Sequence, residues 1–282
     1  MDLALLKEKG KDVKLVVFDL DGTLLTSKSR ISDLSILAIK ELKKQGFLIA
    51  IASGRIFTML ESYYKTIDLK DFVISSNGAS IDWIETKETI QKITLDPEDA
   101  NKVIEFCLLN QIECNVLTRK ACYFPKESYR LTRFELYNQI AIEQGLTPID
   151  VIVYEDMHHD WTDIEKILIY EKNSMKINKV EKFIDTYTKL IYTTSDHNML
   201  DISSIGVSKG NAVQKIAEHL KISPEQVCVF GDYDNDVSMF LYAGIAIATE
   251  NGSKKALKNA DFITLSNDNE GIAYAIKEIL LR

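Results

Sequence analysis

Asp19 and Asp21 stand two positions apart at the end of an apolar run, Leu15-Val16-Val17-Phe18, and Gly22-Thr23 follows them. Such a run reads as a buried strand. Side chains alternate along a strand, so both carboxylates point the same way while Leu20 points back into the core. Two anions that close raise one pKa unless a cation lies between them, so the pair calls for a shared proton or a divalent metal. Gly22 allows a sharp turn, and Thr23 offers a hydroxyl and a main-chain N–H. Asp-x-Asp-Gly is also ordinary turn chemistry. The buried run before it and the apolar Leu24-Leu25 after it favour a site.

Further polar clusters follow other apolar runs: Ser53-Gly54-Arg55, Ser76-Asn77-Gly78 and Gly231-Asp232-Tyr233-Asp234-Asn235-Asp236, with Lys209-Gly210 opening a helical stretch. Brought together, they supply what phosphoryl transfer needs. Mg²⁺ is a hard cation that takes a few carboxylates plus water and substrate oxygens. Asp19 and Asp232 are its expected side-chain ligands, Asp21 contributes its main-chain carbonyl, and Asp236 holds metal-bound water. Asp19 can attack phosphorus to form an aspartyl-phosphate, and Asp21 can protonate the leaving oxygen and later activate water. Ser53 supplies a hydroxyl, Gly54 main-chain N–H at a helix start, Lys209 a positive charge and Asn235 an amide. Each has a plainer alternative: Ser53 as a helix cap, Lys209 as a surface lysine, Asp234 or Asn235 as a cap for the helix that follows.

The elements that must carry these groups are legible in outline. A helix capped by Ser32 or Ser35 and ending at Gly46 lies between the first strand and a second over 48–52, and a third strand covers 72–75. Alternating strands and helices predict a parallel sheet covered on both faces, which binds ligands beyond the carboxyl ends of its strands. From about 83 to 195 the pattern changes to a helix opened by Asp96-Pro97, a helix over 134–144, and strands over 151–154, 167–170 and 190–192. That stretch is expected to be an inserted α+β domain. The first pattern returns with a helix from Lys209, strands over 227–230, 245–248 and 262–265, and a final helix from about 270.

Asp19-x-Asp21-Gly22-Thr23, Ser53-Gly54-Arg55, Ser208-Lys209-Gly210 and Gly231-Asp232-x-x-Asn235-Asp236 resemble, in order, all four motifs of the haloacid dehalogenase superfamily of phosphohydrolases. Only 31 residues lie between Asp21 and Ser53, but 155 lie between Ser53 and Lys209. An inserted cap therefore belongs between the second and third motifs, as in the Cof-type, C2B-capped phosphatases. Asn77-Gly78-Ala79, Leu200-Asp201-Ile202 and the tail Asn259-Ala260-Asp261 through Gly271 are similar to that branch as well. The resemblance implies a Rossmann-like α/β core of residues 1–82 and 196–282, and an α+β cap of residues 83–195 that closes over small phosphorylated metabolites such as sugar phosphates. Two positions depart from it: Thr249-Glu250 replaces an expected Met-Gly pair, and Asp201 stands where glutamate is more usual. If Glu250 faces the site, it adds negative charge there.

The whole chain narrows the partners. Lys plus Arg number 34 against 42 Asp plus Glu, a net charge of -8 over 282 residues, which argues against a nucleic-acid partner. No apolar run is long enough to cross a bilayer, and the N-terminus lacks the pattern of a signal peptide, so no membrane partner and a cytoplasmic location are expected. Cys107, Cys114, Cys122 and Cys228 have no Cys-x-x-Cys spacing and read as reduced core thiols. Glu155-Asp156-Met157-His158-His159-Asp160-Trp161 reads as a polar connection, with a second metal site or a substrate-reading loop as its alternatives. Two other functions stay open: a capped phosphomutase using the same aspartyl-phosphate, and a phospho-accepting or sugar-phosphate-binding regulator. The oligomeric state is not legible.

Overall fold

The computed structural model describes residues 2–128, 130–154, 162–196 and 198–281; the two adjacent histidines of the 155–161 segment lie outside them. The strands in chain order are β1 (Leu15–Asp19), β2 (Leu48–Ala52), β3 (Phe72–Ser75), β4 (Ser80–Trp83), β5 (Glu88–Lys92), β6 (Glu113–Thr118), β7 (Ala121–Pro125), β8 (Asp150–Tyr154), β9 (Ile164–Tyr170), β10 (Ile191–Asp196), β11 (Met199–Ser203), β12 (Val227–Gly231), β13 (Ile245–Thr249) and β14 (Phe262–Thr264). They form two sheets. The first has the order β14-β13-β12-β1-β2-β3-β4-β5, and the second β10-β11-β9-β6-β7-β8.

β1 is central to the first sheet and buried at every residue, with Val17 opposite Val229 of β12 on one side and Ala50 of β2 on the other. Its alternate residues feed two apolar clusters. Val16 and Phe18 pack with Ile39, Leu42 and Ile276 on one face, and Leu15 and Val17 with Val213, Ile216 and Met239 on the other. A strand covered on both faces has no polar side to show, so its sequence is a continuous apolar run. The helix over Asp33–Lys44 begins where Ser32 accepts the Ser35 N–H at 3.2 Å, which resolves the choice of cap. Asp96 caps Pro97–Leu109 by accepting the Glu98 and Asp99 N–H groups.

The sheet is parallel from β14 to β3 and then changes sense. Ser76 and Asn77 take left-handed conformations (φ 51° and 58°) and Gly78 follows at φ 105°, so the chain reverses tightly and β4 returns antiparallel to β3. β5 adds a second antiparallel edge. The divisions expected at 82/83 and 195/196 therefore both fall inside sheet elements. Trp83 is still paired with Phe72 and Glu88, and the β10–β11 ladder carries the second sheet on to Ser203. Hairpin pairing, not the change in sequence texture, decides where the sheets meet.

The second sheet is mostly antiparallel, with one parallel pair, β7 and β8. Its core gathers Val103, Cys107, Val116, Ile167 and Val180. A smaller cluster of Ile56, Leu117, Phe124, Phe134 and Leu168 joins it to the loop after β2. All four cysteines are buried and free. No helix among the described residues is long and apolar enough to cross a membrane.

Candidate active site

The acidic cluster forms at the carboxyl ends of β1 and β12. Asp19, Asp232 and Asp236 are all buried, and a carboxylate oxygen from each lies within 4.8 Å of the others. Lys209, the first residue of the helix Lys209–Leu220, is 1% exposed and donates to Asp19 Oδ1 at 2.5 Å and to Asp236 Oδ1 at 2.6 Å. The plainer alternative, a surface lysine, fails. Asp236 Oδ2 accepts the main-chain N–H groups of Asp232 and Tyr233 at 2.9 and 3.0 Å, which closes the loop after β12 on itself. Thr23 donates to Asp232 Oδ1 at 3.0 Å.

Burial raises the Asp19 pKa well above the usual carboxylate range; Asp236 and Asp232 add to the rise and Lys209 opposes it. Asp232 is pushed up to about 7, first by burial and then by the charge of Asp236, while Thr23 and Lys209 pull the other way. Burial works against the Lys209 charge, but Asp19 and Asp236 outweigh it and raise its pKa. Three carboxylates share one ammonium, which leaves an excess of negative charge. Asp19 Oδ2 is buried and has no hydrogen-bond partner. An orphaned carboxylate oxygen in such a cluster fits a divalent cation, a hard ion that takes oxygen ligands.

Asp21 departs from the expected side-by-side pairing. Its carboxylate is outside the buried cluster, its side chain is 55% exposed, and Arg55 holds it bidentate, Nε to Oδ2 at 2.9 Å and Nη2 to Oδ1 at 2.6 Å. Strand alternation stops at Asp19, and Gly22 then turns at φ 84°, so period-two logic does not reach Asp21. Asp236 and Asp232 are the anions that share space with Asp19. A Cβ on Gly22 would come within 2.3 Å of Asp232 Oδ2, so the turn has room only for glycine.

Ser53 and Gly54 follow β2. Ser53 is 1% exposed and its Oγ accepts the Arg55 N–H at 3.2 Å. The expected helix start is not there: one 3-10 turn over Phe57–Leu60 comes before the six-residue helix Glu61–Thr66. The loop's own N–H groups, without an adjoining α-helix, are what it can offer an anion. Asn235 lies in a 3-10 turn, Asp234–Asp236; its Nδ2 donates to Asn77 Oδ1 at 3.1 Å, and its Oδ1 is buried with no partner.

Asp19, Asp21, Ser53, Asp232 and Asn235 line one side of a cavity of about 1000 Å³ whose other side comes from the second sheet and its helix, including Arg130, Tyr137 and Lys166. Arg55, Asn77 and Lys166 had no role in the sequence-based site. Arg55 and Asn77 were visible as members of strand-end clusters. Lys166 had a fainter signal, a Glu-Lys pair inside the apolar run Ile164–Tyr170. Glu250 does not face the cavity. Its Oε1 accepts the Ser266 N–H at 3.0 Å, while its neighbours Thr249 and Asn251 hold the Gly22 carbonyl at 3.2 and 2.8 Å. The feared extra charge is spent on a turn.

A largely parallel α/β sheet carries buried acids at its strand ends and faces a second sheet across a cavity. The family model for haloacid dehalogenase-like hydrolases matches residues 16–276, and the chain belongs to that family. A provisionally named phosphatase of Mycoplasma genitalium is 30% identical over 275 residues, covering 95% of this chain and 99% of that one. The 5-amino-6-(5-phospho-D-ribitylamino)uracil phosphatase of Bacillus subtilis is 29% identical over 95% of this chain and 98% of its own length. Among solved structures, a haloacid dehalogenase-like hydrolase from Bacteroides thetaiotaomicron superposes with a TM-score of 0.81 at 27% identity, covering 95% of this chain and 99% of that one. The chain is an enzyme of the phosphatase kind.

Proposed function

We propose that the chain is a Mg²⁺-dependent phosphatase that hydrolyses small phosphorylated metabolites, sugar phosphates or related phosphomonoesters, through an aspartyl-phosphate on Asp19. The observation that carries the reading is the buried Asp19 oxygen without a partner, set among Asp232, Asp236 and Lys209. Asp19 and Asp232, with the Asp21 carbonyl, would hold the cation directly and Asp236 through water. Bound there, the cation would offset the repulsion between an anionic nucleophile and an anionic phosphate.

The chain's own groups then divide the work. Asp19 attacks phosphorus and the bond to the leaving oxygen breaks; Asp21, turned away from Arg55 and having taken up a proton from solvent, gives that proton to the leaving oxygen. In the second half Asp21 takes a proton from the water that attacks the aspartyl-phosphate, and inorganic phosphate leaves. Arg55 keeps Asp21 at the mouth of the site between these steps. Lys209 balances the phosphoryl charge, and Ser53, the Gly54 loop and Asn235 hold the phosphoryl oxygens as charge spreads over them. In this reading the second sheet is a cap that selects the leaving group and limits water.

Phosphate release from a panel of sugar, nucleotide and ribitylaminouracil phosphates, with Mg²⁺ and with chelator, tests the proposal. Turnover that needs both the metal and Asp19 is expected. Unchanged turnover in Asp19→Asn would overturn it.

A further inference from the structure

Two buried charges on the second sheet reach across the cavity wall into the first. Lys166 on β9 is 5% exposed and Asp201 on the neighbouring β11 is 1% exposed. Lys166 Nζ donates to Asp201 Oδ1 at 2.8 Å and to the Gly54 carbonyl at 2.7 Å. The other Asp201 oxygen accepts Asn77 Nδ2 at 2.8 Å, and Asn77 Oδ1 in turn accepts Asn235 Nδ2 at 3.1 Å. One carboxylate thus anchors two chains of contacts, and each ends at a group assigned above to the phosphate.

Each chain transmits a direction. A carboxylate can only accept, so the Asn77 amide must turn its NH₂ to Asp201 and its oxygen to Asn235. That fixes which end of the Asn235 amide faces Asn77. On the other arm, the Lys166 ammonium holds the oxygen of the Gly54–Arg55 peptide, whose N–H donates to Ser53 Oγ at 3.2 Å. With that bond accepted, the Ser53 hydroxyl hydrogen is left for another acceptor. Gly54 has no slack here, since a Cβ would lie 3.1 Å from Asn77 Oδ1. A buried ion pair is a weak source of stability, because desolvation cancels most of its attraction. Its value here is orientation.

Resting on the phosphatase reading above, we propose that Asp201 and Lys166 are positioning residues: the second sheet uses this pair to set the phosphate-holding groups Ser53, Gly54 and Asn235 of the first. The two sheets are then coupled at the phosphate itself. A misplaced second sheet loosens the phosphate cradle whatever the leaving group.

The test uses the Mg²⁺-loaded protein and inorganic phosphate as the probe, with affinity measured by calorimetry alongside kcat and KM. Lys166→Met/Asp201→Asn removes both charges together and so leaves no lone buried ion. Asp201→Asn alone is the isosteric second variant should the pair not fold; it keeps an acceptor for Lys166 but removes its counter-charge, so its melting temperature is measured beside the phosphate affinity. The expected result is phosphate affinity weakened about tenfold, the worth of one charge-assisted hydrogen bond, with kcat/KM lowered equally for all substrates. Combined with Ser53→Ala, the double variant should add less than its full effect, because the share carried through Ser53 is already lost while the share carried through Asn77 and Asn235 remains. Full additivity with Ser53→Ala, a loss confined to one leaving group, or unchanged phosphate affinity would each overturn the inference. The last result in an otherwise active enzyme leaves the phosphatase reading standing. A wild type that neither turns over phosphomonoesters nor binds phosphate sinks both.

Discussion

At the scale of single residues, the cluster of Asp19, Asp232 and Asp236 ties stability to pH and metal. Asp232 titrates at about 7 in the folded, metal-free chain, against about 3.9 for an unperturbed aspartate. Between those values the folded chain holds a proton that the unfolded chain has lost. The group's contribution to stability is therefore complete below about pH 4 and disappears as pH rises through about 7. In chelator, the melting temperature of the wild type should fall relative to Asp232→Asn between about pH 4 and 7 and level off above that, by roughly 2–4 °C per kcal/mol. Mg²⁺ should restore more stability at the upper end, since the ion competes with protons for the same oxygens. A wild type that tracks Asp232→Asn across that range would contradict the assignment. Gly22→Ala makes a second case. The added carbon meets Asp232 at 2.3 Å in a backbone with φ 84°, so it should cost about 1–3 kcal/mol in denaturant unfolding and weaken Mg²⁺ binding as well. Stability loss without any change in Mg²⁺ affinity would separate the turn from the metal.

At the scale of elements, most of what positions the site was legible because it is local. β1, β2, β3 and β12 are short apolar runs that end in polar clusters, and strand ends at a parallel sheet's carboxyl edge converge by topology. What failed was non-local. The reversal at Ser76–Gly78, which sends β4 back against β3, looks in sequence like one more strand-end cluster. Lys166 lies one residue before the strand expected over 167–170, and Asp201 stood out only as a departure from the family's usual glutamate; only partners far along the chain explain their burial. Asp21 was misplaced for the opposite reason: a local rule was carried one turn too far. Glu165 shows how elements are joined at this level. It is fully buried on β9, and its two oxygens accept from Ser76 and Ser80 at 2.7 Å each, on either side of the β3–β4 reversal. Ser76→Ala leaves one carboxylate oxygen without its donor, so a loss of about 1–3 kcal/mol is expected in chemical denaturation. If Ser76→Ala is as stable as wild type, this contact does not help to hold the two sheets together.

At the scale of the whole molecule, charge poses a problem that the cavity must solve. A chain of net charge -8 repels a phosphate monoester at long range, and the buried acids Asp19, Asp232 and Asp236 add to that repulsion. The opening of the cavity runs against this trend: Lys28 and Arg30, both exposed, line it on the loop between β1 and the helix Asp33–Lys44, with Arg130 across from them. Exposed charges act over roughly a Debye length, about 10 Å at 0.1 M salt, and each is worth at most about 1 kcal/mol. Neutralising Lys28 and Arg30 together, as Lys28→Ala/Arg30→Ala, should therefore raise KM by about three- to tenfold and leave kcat nearly unchanged, because neither residue is among the groups that handle the phosphoryl oxygens. Salt supplies the discriminating measurement. In the wild type, raising ionic strength screens the rim and should raise KM; in the double variant the rim is already gone, so KM should respond less, or fall as the overall repulsion is screened. An identical salt dependence in the two proteins would mean that the rim does not steer substrate. The burden of attraction would then fall on the inner cations, Lys209 and the metal, and on the remaining basic side chains of the cavity, Arg55, Arg130 and Lys166.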